Sequence, residues 1–304
     1  MYLGRDVASR IWLSGSDEDA YLLLAPPRRG KGVSVVIPNL LEWPGPLVAT
    51  STKDDLIMHT ACALEQERPV YVFDLTRFSE WPDSMRWNLV SGCEDPQVAI
   101  YRARALNAAS GSSRGLRHAD YFQANNEAIH RCYLHAAAIA RRDIGTVRTW
   151  VNLAETGEAV RALATSPLAP EWADDLRAIG QMHDEARTNV FSGARRAYDC
   201  LADPAVLRAC QSGTGQFEPA RFIWDRGALF IVGTTGAQAS MAPIITALVE
   251  TIVEAAKQDA ARSPKRRVDP PLGLFLDECA NIAPLLDVDG ERVHLLAAPC
   301  PVAH

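Results

Sequence analysis

The sequence predicts an α/β protein: a parallel sheet covered by helices on both faces and interrupted by a long all-helical stretch. Three observations carry this. Short apolar runs of strand length alternate with helical periods near the start of the chain and again near its end. Between about Asp95 and Cys210 the β-rich runs vanish, and Ala, Arg and Leu at helical spacing dominate. A chain of 304 residues is long enough for a sizeable core and two domains, one inserted into the other.

The elements follow in order. Tyr21–Leu24 is an apolar run ended by Pro26 and Pro27, which predicts a buried strand feeding a tight loop, with a helix from about Lys31. The turn Pro44-Gly45-Pro46 introduces a second strand, Leu47–Thr50. Asp54 is placed to cap a helix carrying Ile57, Ala61 and Leu64 on one face, and Val70–Phe73 is a third strand. In the helical stretch, Phe122, Ile129, Tyr133, Ala136 and Ala140 form one apolar stripe, with Arg131, Arg141 and Arg142 outside it. The Ser/Gly-rich segment Ser110–Gly115 reads as a surface loop. Strand character returns at Ala228–Val232. A long helix follows with the period Met241, Ile244, Ile245, Leu248, Val249, Ile252, Val253 and Ala256. The basic linker Arg262–Arg267 and Pro270-Pro271 precede a last apolar strand, Leu272–Leu276. The expected organisation is residues 1–94 and 216–304 as one discontinuous nucleotide-binding domain, with residues 95–215 as an all-helical insert. No repeat at solenoid spacing occurs.

Composition narrows the function. Hydrophobic residues make up 48% and charged residues 22%, with a formal net charge of -6. That balance argues against a protein that coats nucleic acid through a general positive field, though a local groove can still be basic. Cys62, Cys93, Cys132, Cys200, Cys210, Cys279 and Cys300 form no C-x-x-C pair and no zinc spacing, which suits a reducing cytoplasm. The histidines form no H-x-x-x-H pair. No secretory signal is present, and no run of about 18 apolar residues could span a bilayer.

A phosphate loop needs a strand, a turn of inward-pointing amides, a Lys for the terminal phosphates, and a helix N-terminus with its partial positive charge. Against G-x-x-x-x-G-K-[ST], the stretch Ala25–Gly32 has Gly30 and Lys31 in place; Ala25 replaces the first Gly and Gly32 the magnesium-binding hydroxyl. The alternative reading is a basic surface turn. Late in the chain, "LGLFLDECAN" sets Asp277 and Glu278 after an apolar strand. An Asp there can order the water shell of Mg2+ and a Glu can activate water, or the pair can simply cap the next helix. Arg187, Arg195 and Arg196 invite a DNA reading, against which Asp184, Glu185 and Asp199 give the mixed charge of a solvated face.

"APPRRGKGVSVVIPNLLEWPGPLVATSTKDDL", "VYVFDLT", "DPAVLRAC" and "LGLFLDECANIAPL", in this order, resemble the TraG/TraD-like coupling ATPases of conjugation and type IV secretion, in particular their actinobacterial branch. The resemblance runs from about Leu3 to Leu286. It implies a RecA-like P-loop NTPase with an inserted helical domain, working as a hexameric ring that moves relaxase-bound DNA toward a secretion channel. Its cofactors would be ATP and Mg2+, and its partners DNA, relaxase and channel components. Carried over, Lys31 meets the terminal phosphates within a cradle of Pro27, Arg28, Arg29, Gly30, Lys31, Gly32 and Val33. Asp277 orders the magnesium, and Glu278 is the general base. Ser34 lies near the missing hydroxyl, and Lys53 of "STKDDL" either faces the nucleotide or a neighbouring subunit or, as the commoner reading of Lys-Asp-Asp, simply belongs to a helix start with solvated charges. Relatives begin with membrane-spanning helices, whereas this chain starts almost at the motor domain. Its tail "LDVDGERVHLLAAPCPVAH" departs from the family and reads as truncated or frame-shifted, leaving the sheet incomplete. The expected location is the cytoplasm, with peripheral contact to the inner or plasma membrane left open. The competing reading is a non-hydrolysing scaffold that binds relaxase or secretion partners through the helical insert.

Overall fold

The computed structural model describes residues 1–16, 19–23, 29–77, 79, 81–111, 119–233 and 235–276. Four strands form a wholly parallel sheet: β3 (Leu47–Ser51), β4 (Val70–Asp74), β5 (Ala228–Val232) and β6 (Gly273–Leu276), in the spatial order β4-β5-β3-β6. The central strands β3 and β5 are buried at every position, whereas β4 and β6 are partly exposed, as edges must be. Register is regular: Leu47 stands opposite Ala228 and Gly273, and Val70 opposite Ala228.

Alternation along these strands sends side chains to two different cores. Leu47, Ala49, Val72, Phe230 and Val232 meet Leu40, Trp43, Leu56, Ile57 and Leu64 from two helices. The first is α1, which opens as the π-helical turn Gly32–Val36 and continues as Ile37–Glu42; the second is α2 (Asp55–Leu64). Val48, Phe73, Leu229 and Ile231 face the other way. They join a much larger core with the 28-residue helix α11 (Thr235–Arg262) and the helical stretch.

That stretch comprises α3 (Pro96–Ser110), α4 (Ala119–Ile139), α5 (Ile144–Leu153), α6 (Gly157–Ala164), α7 (Trp172–Gly180), α8 (Asp184–Arg195), a 3-10 turn (Arg196–Ala202), α9 (Pro204–Ala209) and α10 (Pro219–Trp224). Its entry and exit run side by side: Trp87 N donates to Ala209 O at 2.8 Å, and Phe217 N to Arg86 O at 2.8 Å. Asp95 caps α3 by accepting from Gln97 N, and Asp203 caps α9 by accepting from Ala205 N. The expected stripe on α4 is real, with Ile129, Tyr133 and Ala136 fully buried. Two buried polar side chains inside this body are tied down by more than one bond each. Arg102 donates to Leu89 O and Ser91 O and lies over the Trp87 ring, and His135 bridges Cys93 O and Ser166 Oγ.

The N-terminal segment differs from expectation twice. Tyr2–Arg5 (β1) and Trp12–Ser14 (β2) make a small antiparallel hairpin that the sequence did not announce. Tyr21–Leu23, expected as a buried strand, carries no strand and is exposed. The physical reason is local: the Tyr21 hydroxyl donates to Ser16 O at 2.8 Å and its ring packs onto Gly15, so the segment folds back on itself. Leu24, the end of that expected strand, lies outside the described residues, as do 112–118 of the predicted Ser/Gly loop and the tail from 277.

Candidate functional site

The candidate site lies at the C-terminal end of the sheet, where parallel α/β sheets bind ligands. α1 runs antiparallel to β3. Its far end reaches the start of the strands: Trp43 Nε1 donates to Pro271 O at 3.0 Å, just before β6. Gly45 belongs there, because a Cβ would fall 2.2 Å from Pro271 O, and Arg68 locks the turn by donating to Gly45 O and Trp43 O. The opening turn of α1 is therefore carried toward the opposite end, and Val36 and Ile37 pack against the core that contains Val232, the last residue of β5. Asn39 holds α1 to the hairpin: Tyr2 N donates to its Oδ1 at 2.7 Å, and its Nδ2 donates to Tyr2 O and Val35 O.

At that opening turn, Gly30 has φ +79°, a left-handed conformation natural for glycine. Ser34 N donates to Gly30 O at 2.8 Å, and the Ser34 hydroxyl would stand 3.2 Å from a Cβ at Gly30. Lys31 is the N-cap residue, half-buried. Gly32 has nothing within 4 Å of where a Cβ would project, so the backbone there faces open space. Arg29 and Val33 are exposed, and no residue of Gly32–Val36 is buried. Amides of a first helical turn lack intrahelical partners and carry partial positive charge. A left-handed Gly, an open Gly and a Lys at such a turn fit a phosphate group.

Two more cations stand at the same end of the sheet. Lys53, exposed, follows β3 in a turn where its amide donates to Ser51 Oγ at 3.1 Å, and Arg77, exposed, follows β4. Asp74 ends β4. It is buried and accepts from Thr76 N and Oγ1 and from Ser79 N and Oγ at 2.6–3.0 Å, shaping the loop that carries Arg77. An acid at a strand end followed by Thr and Ser is the signal that could have found it.

Of the expected cradle, Arg29, Gly30, Lys31, Gly32 and Val33 are thus together on one turn; Pro27 and Arg28 lie outside the described residues. So do Asp277 and Glu278. Leu276, which precedes them, is paired with Thr50 at the C-terminal end of the sheet. Among the described residues no group of three or more His, Cys, Asp or Glu could hold a metal ion, and no helix is long and apolar enough to cross a membrane. Of the three arginines that invited a DNA reading, Arg187 pairs with Asp184 at 3.2 Å and Arg195 donates to the carbonyls of Val151 and Asn152, while Arg196 is exposed.

Among curated proteins there is no match. Solved structures similar to this chain include the plasmid coupling protein TrwB in complex with a non-hydrolysable ATP analogue, at 17% identity and TM-score 0.47, covering 81% of this chain and 59% of that one. The bacterial conjugative coupling protein TrwBdeltaN70 in an unbound form is similar at 16% identity and TM-score 0.43, covering 81% and 57%. TrwB with ADP and Mg2+ is similar at 11% identity and TM-score 0.40, covering 81% and 67%. The chain spans less than three fifths of the first two. A family described as Type IV secretory system Conjugative DNA transfer matches residues 7–288. With nearly the whole of its length matched in this way, the chain belongs to the type IV secretory system conjugative DNA transfer family.

Proposed function

We propose that this chain is the nucleotide-driven part of a coupling protein that moves DNA toward a type IV secretion channel. The observation that carries the reading is the Gly30-Lys31-Gly32 turn, which opens α1 at the C-terminal end of a parallel sheet. Family membership supplies the DNA-transfer context. In this reading the Lys31 ammonium and the amides of the opening turn neutralise charge on the β- and γ-phosphates of ATP. Arg29 adds field beside them, and Gly30 and Gly32 let the backbone approach. Asp277 would hold a magnesium ion through its water shell, and that ion would supply positive charge to offset the phosphates. Glu278 orients the attacking water and takes its proton. Residues 95–215 act as a helical unit inserted into the RecA-like unit of residues 1–94 and 216–304. Ring assembly, relaxase and channel components complete the machine, with the protein at the cytoplasmic face of the membrane.

The test is ATP binding and hydrolysis by the purified chain, with and without single-stranded or duplex DNA. The expected outcome is DNA-stimulated turnover that Lys31→Ala abolishes together with ATP binding, while Glu278→Gln binds ATP without turning it over. Equal behaviour of wild type and Lys31→Ala would remove the motor and leave a non-hydrolysing scaffold that works through its helices.

A further inference from the structure

We propose that the opposite end of the sheet holds a contact site for single-stranded DNA, in which one base stacks on Trp224 while Arg226 and the basic stretch Arg262–Arg267 receive the flanking phosphates. The proposal rests on the DNA-transfer reading and adds a surface to it. A cavity of about 250 Å³ lies there, lined by Trp224, Arg226, Asp259, Val268, Asp269 and Pro270 among others. Arg226 and Pro270 precede β5 and β6, so the cavity is separated from the Gly30-Lys31 turn by the length of the strands, roughly 15 Å.

Three independent features converge on it. The first is an aromatic platform. α10 buries Phe222 and Ile223 but leaves Trp224 80% exposed, an indole held outward on a short helix whose other large side chains are anchored. Exposed indole faces stack unpaired bases and are indifferent to sequence. The second is the conformation of Arg226. It ends α10 with φ +51°, its amide donating to Ile223 O at 3.2 Å while Gly227 N donates to Phe222 O at 2.9 Å. That backbone places Arg226, which is exposed, in the lining of the cavity beside Trp224. The third is charge. Arg262, Lys265, Arg266 and Arg267 are all exposed, in a chain whose net charge is -6, so the basic density is local. Asp269 sits among Lys265, Arg267 and Arg226, which hold its carboxyl below the usual range; it pairs with Lys265 at 2.5 Å, leaving Arg226, Arg262 and Arg266 as the cations for phosphate.

The remaining acid suits a base. Asp259, half-buried in the cavity wall, offers a carboxylate acceptor for a ring or exocyclic N–H. Room for a single base, a stacking face and peripheral cations describes a strand whose bases are unpaired; a duplex keeps its base faces covered.

The experiment uses a fluorescent oligothymidylate of about twenty nucleotides, without ATP, read by anisotropy and by intrinsic tryptophan emission. Wild type binds it with quenching. Trp224→Ala binds about tenfold more weakly and loses most of the quenching. Arg226→Gly, which relieves the left-handed backbone and so folds at least as well, binds severalfold more weakly, and its dependence on log salt loses about 0.7 of slope. If wild type binds the oligonucleotide and both variants match it, the site is overturned while the DNA-transfer reading stands. Failure of wild type to bind any DNA removes both. Equal quenching by duplex DNA or by ATP alone overturns the single-strand assignment, and binding of a protein partner that Trp224→Ala abolishes, with DNA binding untouched, reassigns the surface.

Discussion

The two faces of the sheet are unequal. On one side α1 and α2 lay a thin layer over Leu47, Ala49, Val72 and Phe230. On the other, α11 and the whole helical stretch join in a single continuous core. The thin side carries the Gly30-Lys31 turn, whose helix begins with five residues none of which is buried. The thick side carries buried Arg102, Asn126, His130, His135 and Thr246. The bulk of the core and the turn proposed to hold the nucleotide are thus placed on opposite sides of the same strands, and the lightly packed side is the one able to open locally. Two phenylalanine truncations break or sharpen this contrast. Phe191→Ala, in the thick core, should cost about 3–5 kcal/mol in urea unfolding and leave ATP affinity unchanged in the folded fraction. Phe230→Ala, under α1, should fall at the lower end of that range and weaken ATP binding as well. ATP binding lost equally in both would erase the distinction.

The thick side should also respond to acid. Burial pushes the His130 imidazole down to about 3; its Nδ1 meets the Tyr198 hydroxyl at 3.0 Å and its Nε2 is buried without a partner. The folded state therefore keeps His130 neutral, while the unfolded chain takes up a proton near its ordinary value of about 6.5. Between these values the unfolded state binds more protons, so stability falls as pH drops from about 6.5 toward 3. The cost reaches about 2 kcal/mol at pH 5 relative to pH 7. His130→Gln removes this component. Urea midpoints of wild type and variant followed from pH 7 to pH 5 should converge, and parallel curves would refute the assignment.

A smaller effect is expected on the thin side. Asn39→Ala removes both hydrogen bonds to Tyr2 and should free the hairpin from α1 at about 1–3 kcal/mol of local stability. Faster hydrogen exchange at Tyr2 and earlier proteolysis within residues 1–14 would report it, with the thick core unaffected.

The sheet was legible because a parallel α/β sheet buries its strands on both faces: Leu47–Ser51, Val70–Asp74, Ala228–Val232 and Gly273–Leu276 all fall within a residue of the apolar runs that announced them. α11 was legible from its unbroken 3.6-residue period, and the opening of α1 at Lys31 from its Gly-Lys-Gly turn. The hairpin was not, because strands of four and three residues with exposed Leu3, Trp12 and Leu13 bury too little to leave a pattern. Tyr21–Leu23 misled for the converse reason: an apolar run predicts a strand only where a sheet receives it, and here one hydroxyl contact to Ser16 turns it away. The capping residue of α2 was right in place and wrong in mechanism. Asp54 stands at the N-cap without a side-chain bond, while Asp55 Oδ1 accepts from Leu56 N. The Gly30-Lys31-Gly32 turn could be read from residue types, but the open space over Gly32 could not, since it depends on what the rest of the chain leaves uncovered.

The smallest stability effect separates backbone geometry from charge at that turn. Gly30→Ala places a Cβ on a residue with φ +79° and brings it 3.2 Å from the Ser34 hydroxyl. The strain amounts to about 1–2 kcal/mol, some of it recoverable by rotation of Ser34. Because the turn lies on the thin side, α1 can shift to accommodate the methyl, and global unfolding should move by no more than this. ATP binding should suffer more than stability, since the loop amides lose their aim while the Lys31 charge stays. Pairing Gly30→Ala with Ser34→Ala gives the decisive form: relief of the contact should restore part of the stability without restoring ATP affinity. Recovery of both together would mean that Gly30 matters only for packing around Ser34.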